Sequence, residues 1–216
     1  MATRMDADLL TRQQSVRVLV LLDALARAGL VPTSARALHE LAYLANVLSP
    51  VFDLVPFDAK LLKRATGPYY PELQLAIDRL VGRGLVDALK VEYRLVPEES
   101  RYRVVAQYRL RRPLVQAALN RHAEVFPEEV VFLHELAAAY SVLSDDKLGR
   151  AALQDARYAD ISVDVSEVID FGEYEKPTKN FSRNAALTFA AGRQLEPAER
   201  LYLYLDHLNT RVSHVG

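Results

Sequence analysis

The most conspicuous chemistry in the chain is a set of five arginines: Arg94, Arg101, Arg103, Arg109 and Arg111. In the second half of this segment they alternate with Tyr102, Val104, Ala106, Tyr108 and Leu110. That period of two puts the guanidiniums on one side of an extended ribbon, where they could hold phosphates or carboxylates. A second set, Gln74, Arg79 and Arg83, recurs at helical spacing just upstream and could offer donors to base edges and phosphates. Tyr69 and Tyr70 stand between two prolines in "TGPYYPEL". Their amphipathic rings either pack under the ribbon or stand exposed as anchors for a partner.

Catalytic constellations are harder to find. Zero cysteines exclude a disulfide framework and any thiolate metal site. The sequence has no Gly-rich phosphate loop and no G-x-S-x-G elbow. His134-Glu135 resembles half of a zinc motif, but no second histidine follows it, and His39, His122, His207 and His214 are isolated in the same way. Acidic pairs such as Glu128-Glu129 and Asp145-Asp146 fall at expected helix ends, where the backbone dipole or solvent accommodates them. The reading is a non-enzyme with no cofactor, no metal and no small-molecule substrate.

Elements must position these residues. Thr11 can cap a helix over 12–28 that Gly29 closes, and Pro32-Thr33-Ser34 precedes a second over 35–48 with Leu38, Leu41, Ala42 and Ala45 on one face. Around Asp58 the pattern is ambiguous, with room for a short helix to Ala65. Pro71 suits the first position of a helix over 71–83, and Leu73, Ala76, Ile77, Leu80 and Val81 form its inward stripe. Gly84 ends it, and the period then changes to two. Val91, Tyr93 and Leu95, then Tyr102 to Leu110, predict a β-hairpin with one apolar and one basic face. Pro113 ends the hairpin. Helices are expected over 113–126, from Pro127 to about 142, over 182–191 and from Pro197 to about 212, with a loop or short strands over 158–180.

Helix, helix, helix and then hairpin is the order of a winged helix-turn-helix, in which a recognition helix runs directly into a two-stranded wing. The expected fold is therefore mainly α with a small β-hairpin wing, divided into 1–112 and an acidic helical partner-binding region, 113–216. The charge agrees with that division. Residues 1–112 carry 17 Lys and Arg against 12 Asp and Glu, and residues 113–216 carry 10 against 16. Glu72 and Asp78 oppose a phosphate backbone, so backbone or shape binding by the wing is easier to defend than sequence reading. No apolar run reaches the roughly 20 residues of a membrane span, and the first residues lack the plan of a signal peptide. A cytoplasmic protein is expected.

The strings "ARALHELAYLANVL" and "GPYYPELQLAIDRLVGRGLV" resemble small winged-helix proteins of bacterial conflict systems. The shared features are a GP-aromatic-x-PEL start and an L..L...GLV run into the wing. The pattern is most similar to the middle component of ABC-three-component anti-phage systems, of which Lamassu is one, and covers about residues 35–112. That resemblance implies an adaptor linking an SMC/Rad50-like ATPase to a toxic effector such as a nuclease, with non-sequence-specific contact to double-stranded DNA through the wing. The family pattern has a serine before the second proline, where Tyr70 stands here. The pattern also resembles Panacea-type antitoxins and PadR-like repressors, which imply the alternative of a dimeric DNA-binding regulator.

Overall fold

The computed structural model describes residues 2–55, 57, 60–96, 101–143, 150–155, 158, 164–171, 181–189 and 194–214. The chain is mainly α, 62% helix and 16% strand, with a small antiparallel sheet. The first helix, α1 (Ala2–Arg27), begins well before Thr11. Thr11 is not its cap but an interior residue whose carbonyl accepts the Ser15 hydroxyl. The preceding residues contain no Gly or Pro, so nothing stops the helix from extending through them. Gly29 closes it with φ of 78°, in the left-handed region that favours glycine.

Strand β1 (Thr33–Ser34) leads into α2 (Ala35–Leu48), where the Ser34 hydroxyl accepts the Ala37 N–H at 3.1 Å. A 3₁₀ turn, Ser49–Phe52, follows. The short helix considered up to Ala65 does not form. Lys60–Leu62 is strand β2, paired antiparallel with β5 (Val168–Asp170); Asp58 itself lies outside the described residues. A partner more than a hundred positions away overrides the local pattern here. Helix α3 (Pro71–Gly82) starts at Pro71, as its fixed φ favours, and Gly84 at φ 68° ends it.

The hairpin is β3 (Val86–Val96) and β4 (Arg101–Leu110), with β1 on the other side of β4, giving the order β1–β4–β3. Helices α4 (Arg112–Val125), α5 (Pro127–Tyr140), α6 (Phe181–Phe189) and α7 (Pro197–His214) complete the chain. Helix α5 lies on α1 and α2, α6 on α2, and α7 on α5, α6 and the 3₁₀ turn Ala151–Gln154. One apolar cluster runs through residues of both 1–112 and 113–216.

The centre of this arrangement is α2. It was expected to bury one face, but every residue from Ala37 to Leu48 is buried, because the later helices cover the side that would otherwise meet water. Two carboxyl groups fasten that cover. Glu40 of α2, fully buried, accepts the Tyr140 hydroxyl of α5 and the Ala152 N–H at 2.7 Å. Asp155, also fully buried, accepts the hydroxyls of Tyr43 on α2, Ser182 on α6 at 2.9 Å and Tyr204 on α7 at 2.5 Å. Buried carboxyl groups are tolerated only when their acceptor sites are filled in this way.

Removing the acceptor strands three buried hydroxyls, whereas removing one donor leaves the other bonds in place. Asp155→Ala should therefore lower stability by about 3 kcal/mol or more, and Tyr204→Phe by about 1 kcal/mol. Urea unfolding of both variants measures this, and equal losses would show that Asp155 is not the shared acceptor.

Candidate functional site

The "TGPYYPEL" stretch is a junction between α2, α3 and β2. Gly67 takes a φ of 122°, and the carbonyl of Tyr69 accepts the Leu62 N–H at 3.3 Å. Tyr70 N–H donates to His39 Nδ1 at 3.3 Å, so the ring proton sits on Nε2, which faces Gln74 Oε1 at 3.2 Å. The Gln74 amide nitrogen in turn donates to Asp78 at 2.9 Å and reaches the Tyr108 hydroxyl at 3.4 Å. Gln74, a candidate for DNA contact, is thus engaged at both ends within the protein.

Tyr70 corrects an expectation. Its side chain is 2% exposed and cannot anchor a partner at the surface. Its hydroxyl accepts from the Asn46 side-chain amide nitrogen at 2.7 Å, and Asn46 Oδ1 accepts from Arg17 and from the Phe57 N–H. The ring is buried with its hydroxyl on this partner from α2. Tyr69 is half-buried, with the Arg64 guanidinium 3.5 Å above its ring and His39 beside it. Tyr158, from the second half of the chain, holds Arg64 by bonding both its N–H and its carbonyl. Burial pushes the Tyr158 phenol up to about 12, so it remains protonated at neutral pH.

On α3, Glu72, Asp78, Arg79 and Arg83 are all exposed, so two acids balance two bases on the face turned to solvent. Arg79 also reaches the Thr11 hydroxyl at 3.3 Å. A helix that binds a phosphate backbone needs a surplus of cations there.

The hairpin has the two faces expected of it, and a bulge makes them continuous. Leu89 pairs with Gln107, but Glu92 pairs with Val105, so β3 gains one residue, with Lys90 at φ 49°. The bulge shifts the odd residues Tyr93 and Leu95 to the face that carries Tyr102 and Val104; without it they would join the arginines. On the polar face, Arg109 and Arg111 both bind Asp87, at 3.1 and 2.5 Å. Hydrogen bonds from Arg111 and then Arg109 hold the Asp87 carboxyl below the usual range. Arg94 pairs with Glu92 at 3.2 Å and stands opposite Arg103 in the register. The backbones of Arg101 and Arg103 belong to β4, while their side chains lie outside the described residues. Asp87 went unrecognised because its partners depend on cross-strand register.

A separate charged cluster joins three helices. Asp23 of α1, nearly buried, lies 2.8 Å from Arg27, 3.1 Å from Arg112 of α4 and 3.9 Å from His134 of α5. Burial pushes its carboxyl up, but His134, Arg27 and Arg112 outweigh this and hold it below its ordinary value. A cavity of about 60 Å³ adjoins it, lined by Gln116 and Asn120 among others. Among the described residues, no group of three or more His, Asp or Glu could hold a metal ion, and no helix is long and apolar enough to cross a membrane.

No family model matches the chain, and neither a curated protein nor a solved structure does. The site must therefore be read from its geometry.

That geometry makes Asp87 a restraint on the basic face. Asp87→Asn removes the charge that pairs with both guanidiniums. Anisotropy titrations with duplex DNA should then show tighter binding, with a slope of log affinity against log salt steeper by about 2. An unchanged slope would show that Arg109 and Arg111 do not reach phosphates.

Proposed function

We propose that the chain is a non-catalytic winged-helix assembly subunit, acting in the cytoplasm of a bacterium to hold protein partners together. The observation that carries this reading is topological. Helix α1, strand β1, helix α2, the 3₁₀ turn Ser49–Phe52, strand β2, helix α3 and strands β3 and β4 come in that order, with sheet order β1–β4–β3. This order supports reading the chain as a winged helix, with α3 in the recognition position and β3–β4 as the wing.

Two further features support assembly over sequence reading. Helix α2 is enclosed by α5, α6 and the Ala151–Gln154 turn rather than left free beside the recognition helix. The exposed face of α3 is balanced in charge, and Gln74 is held inside. The partners are those implied by the resemblance to the middle component of ABC-three-component systems: an SMC-like ATPase and an effector. The arginine face of the wing supplies a contact to duplex DNA independent of base sequence.

Co-expression with the products of neighbouring genes tests this. The chain should co-purify in fixed stoichiometry with an SMC-like ATPase. A chain that co-purifies with none of them and instead protects a palindromic operator, with half-sites one helical turn apart, is a sequence-reading regulator.

A further inference from the structure

The distal half of the hairpin carries an apolar face that is exposed to solvent and, among the described residues, uncovered. Near the body, Val86, Ala106, Tyr108 and Leu110 are buried by the rest of the chain. Farther out on the same face, Val91, Tyr93, Leu95, Tyr102 and Val104 are exposed, Tyr93 at 79% and Tyr102 at 69%. Strand β1 pairs only with Gln107 and Tyr108, so among the described residues no strand lines either edge of this outer half. Five contiguous apolar side chains on an open ribbon are a surface built to be covered.

We infer that the covering surface is a second copy of this chain, the two wings packing apolar face to apolar face in opposite directions. Three observations select this occupant. First, the cross-strand pairs are Tyr93 with Val104 and Leu95 with Tyr102, so large rings occupy one diagonal and small aliphatics the other. A two-fold axis parallel to the ribbon, midway between the two layers and perpendicular to the strands, sets Tyr93 on the partner's Leu95 and Tyr102 on the partner's Val104. The checkerboard is therefore complementary to itself, as an isologous contact must be.

Second, the body of the molecule lies on the same side as the apolar face, because Ala106, Tyr108 and Leu110 pack against it. A partner wing can approach only with its own body at the far end, which is the orientation this axis gives. Third, Arg94, paired with Glu92, and Arg109, paired with Asp87, occupy the opposite face. In a two-layer sandwich roughly 10 Å thick between backbones, they remain outside and apart, and both arginine faces stay open. A patch of five side chains is small beside the roughly 800 Å² per partner of a standard interface, so the pairing is concentration-dependent. The inference stands on register and exposure and does not rest on the proposed adaptor role.

Sedimentation equilibrium of the full chain tests it. The mass should rise with concentration from 24.3 kDa toward twice that value. Tyr102→Glu and Val104→Lys should each weaken the dimer about thirtyfold or more while leaving the circular dichroism spectrum unchanged. Mixed together, the two variants should pair one to one, because the carboxylate introduced in one copy would meet the ammonium introduced in the other. A wild-type mass fixed at 24.3 kDa overturns the inference, including the case in which another protein covers these tyrosines. A dimer indifferent to both substitutions, or a mixture that stays monomeric while the wild type pairs, overturns it too.

Discussion

Two buried carboxyl groups hold the molecule in one piece. Glu40 and Asp155 are inaccessible to solvent, and each would be costly to bury without its donors. Those donors come from elements far apart in sequence: Tyr43 on α2, Tyr140 on α5, the backbone at Ala152, Ser182 on α6 and Tyr204 on α7. Satisfying the two acids therefore requires the late helices to close over α2. The apolar side of α2 gains its cover by the same closure, so polar satisfaction and hydrophobic burial favour one arrangement.

That closure shapes what the surface can do. With α2 enclosed and α3 balanced in charge, the hairpin is the element that projects. Its two faces are kept distinct by a single extra residue in β3. One face is basic but partly restrained, since Asp87 takes up Arg109 and Arg111. The other is apolar and open beyond Ala106. A ribbon divided in this way suits a subunit that contacts protein on one side and a polyanion on the other, which is the role proposed for it.

Much of the fold is legible locally. Ser34 before "ARALHE", Pro71 before an inward stripe and Gly84 after it mark helix limits through short-range bonds and backbone preferences, and the alternation from Tyr102 to Leu110 marks a strand. Features set by distant partners are not legible in the same way. Lys60–Leu62 is a strand only because Val168–Asp170 pairs with it. Thr11 has the chemistry of a cap but sits inside a helix whose earlier residues propagate it. The sharpest contrast is at Tyr69-Tyr70: adjacent rings in one motif diverge because Asn46 offers Tyr70 a buried donor, while Arg64 covers Tyr69 near the surface. Asp87 and the bulge depend on register, which composition does not reveal.

Native-state hydrogen exchange across a urea series tests the central claim that α2 belongs equally to both halves of the chain. Amides of α2, α5 and α7 should share one opening free energy and one urea dependence, because none can open while Glu40 and Asp155 keep their donors. Protection that persists in α2 after α6 and α7 have opened in a separate, lower-energy step would contradict it.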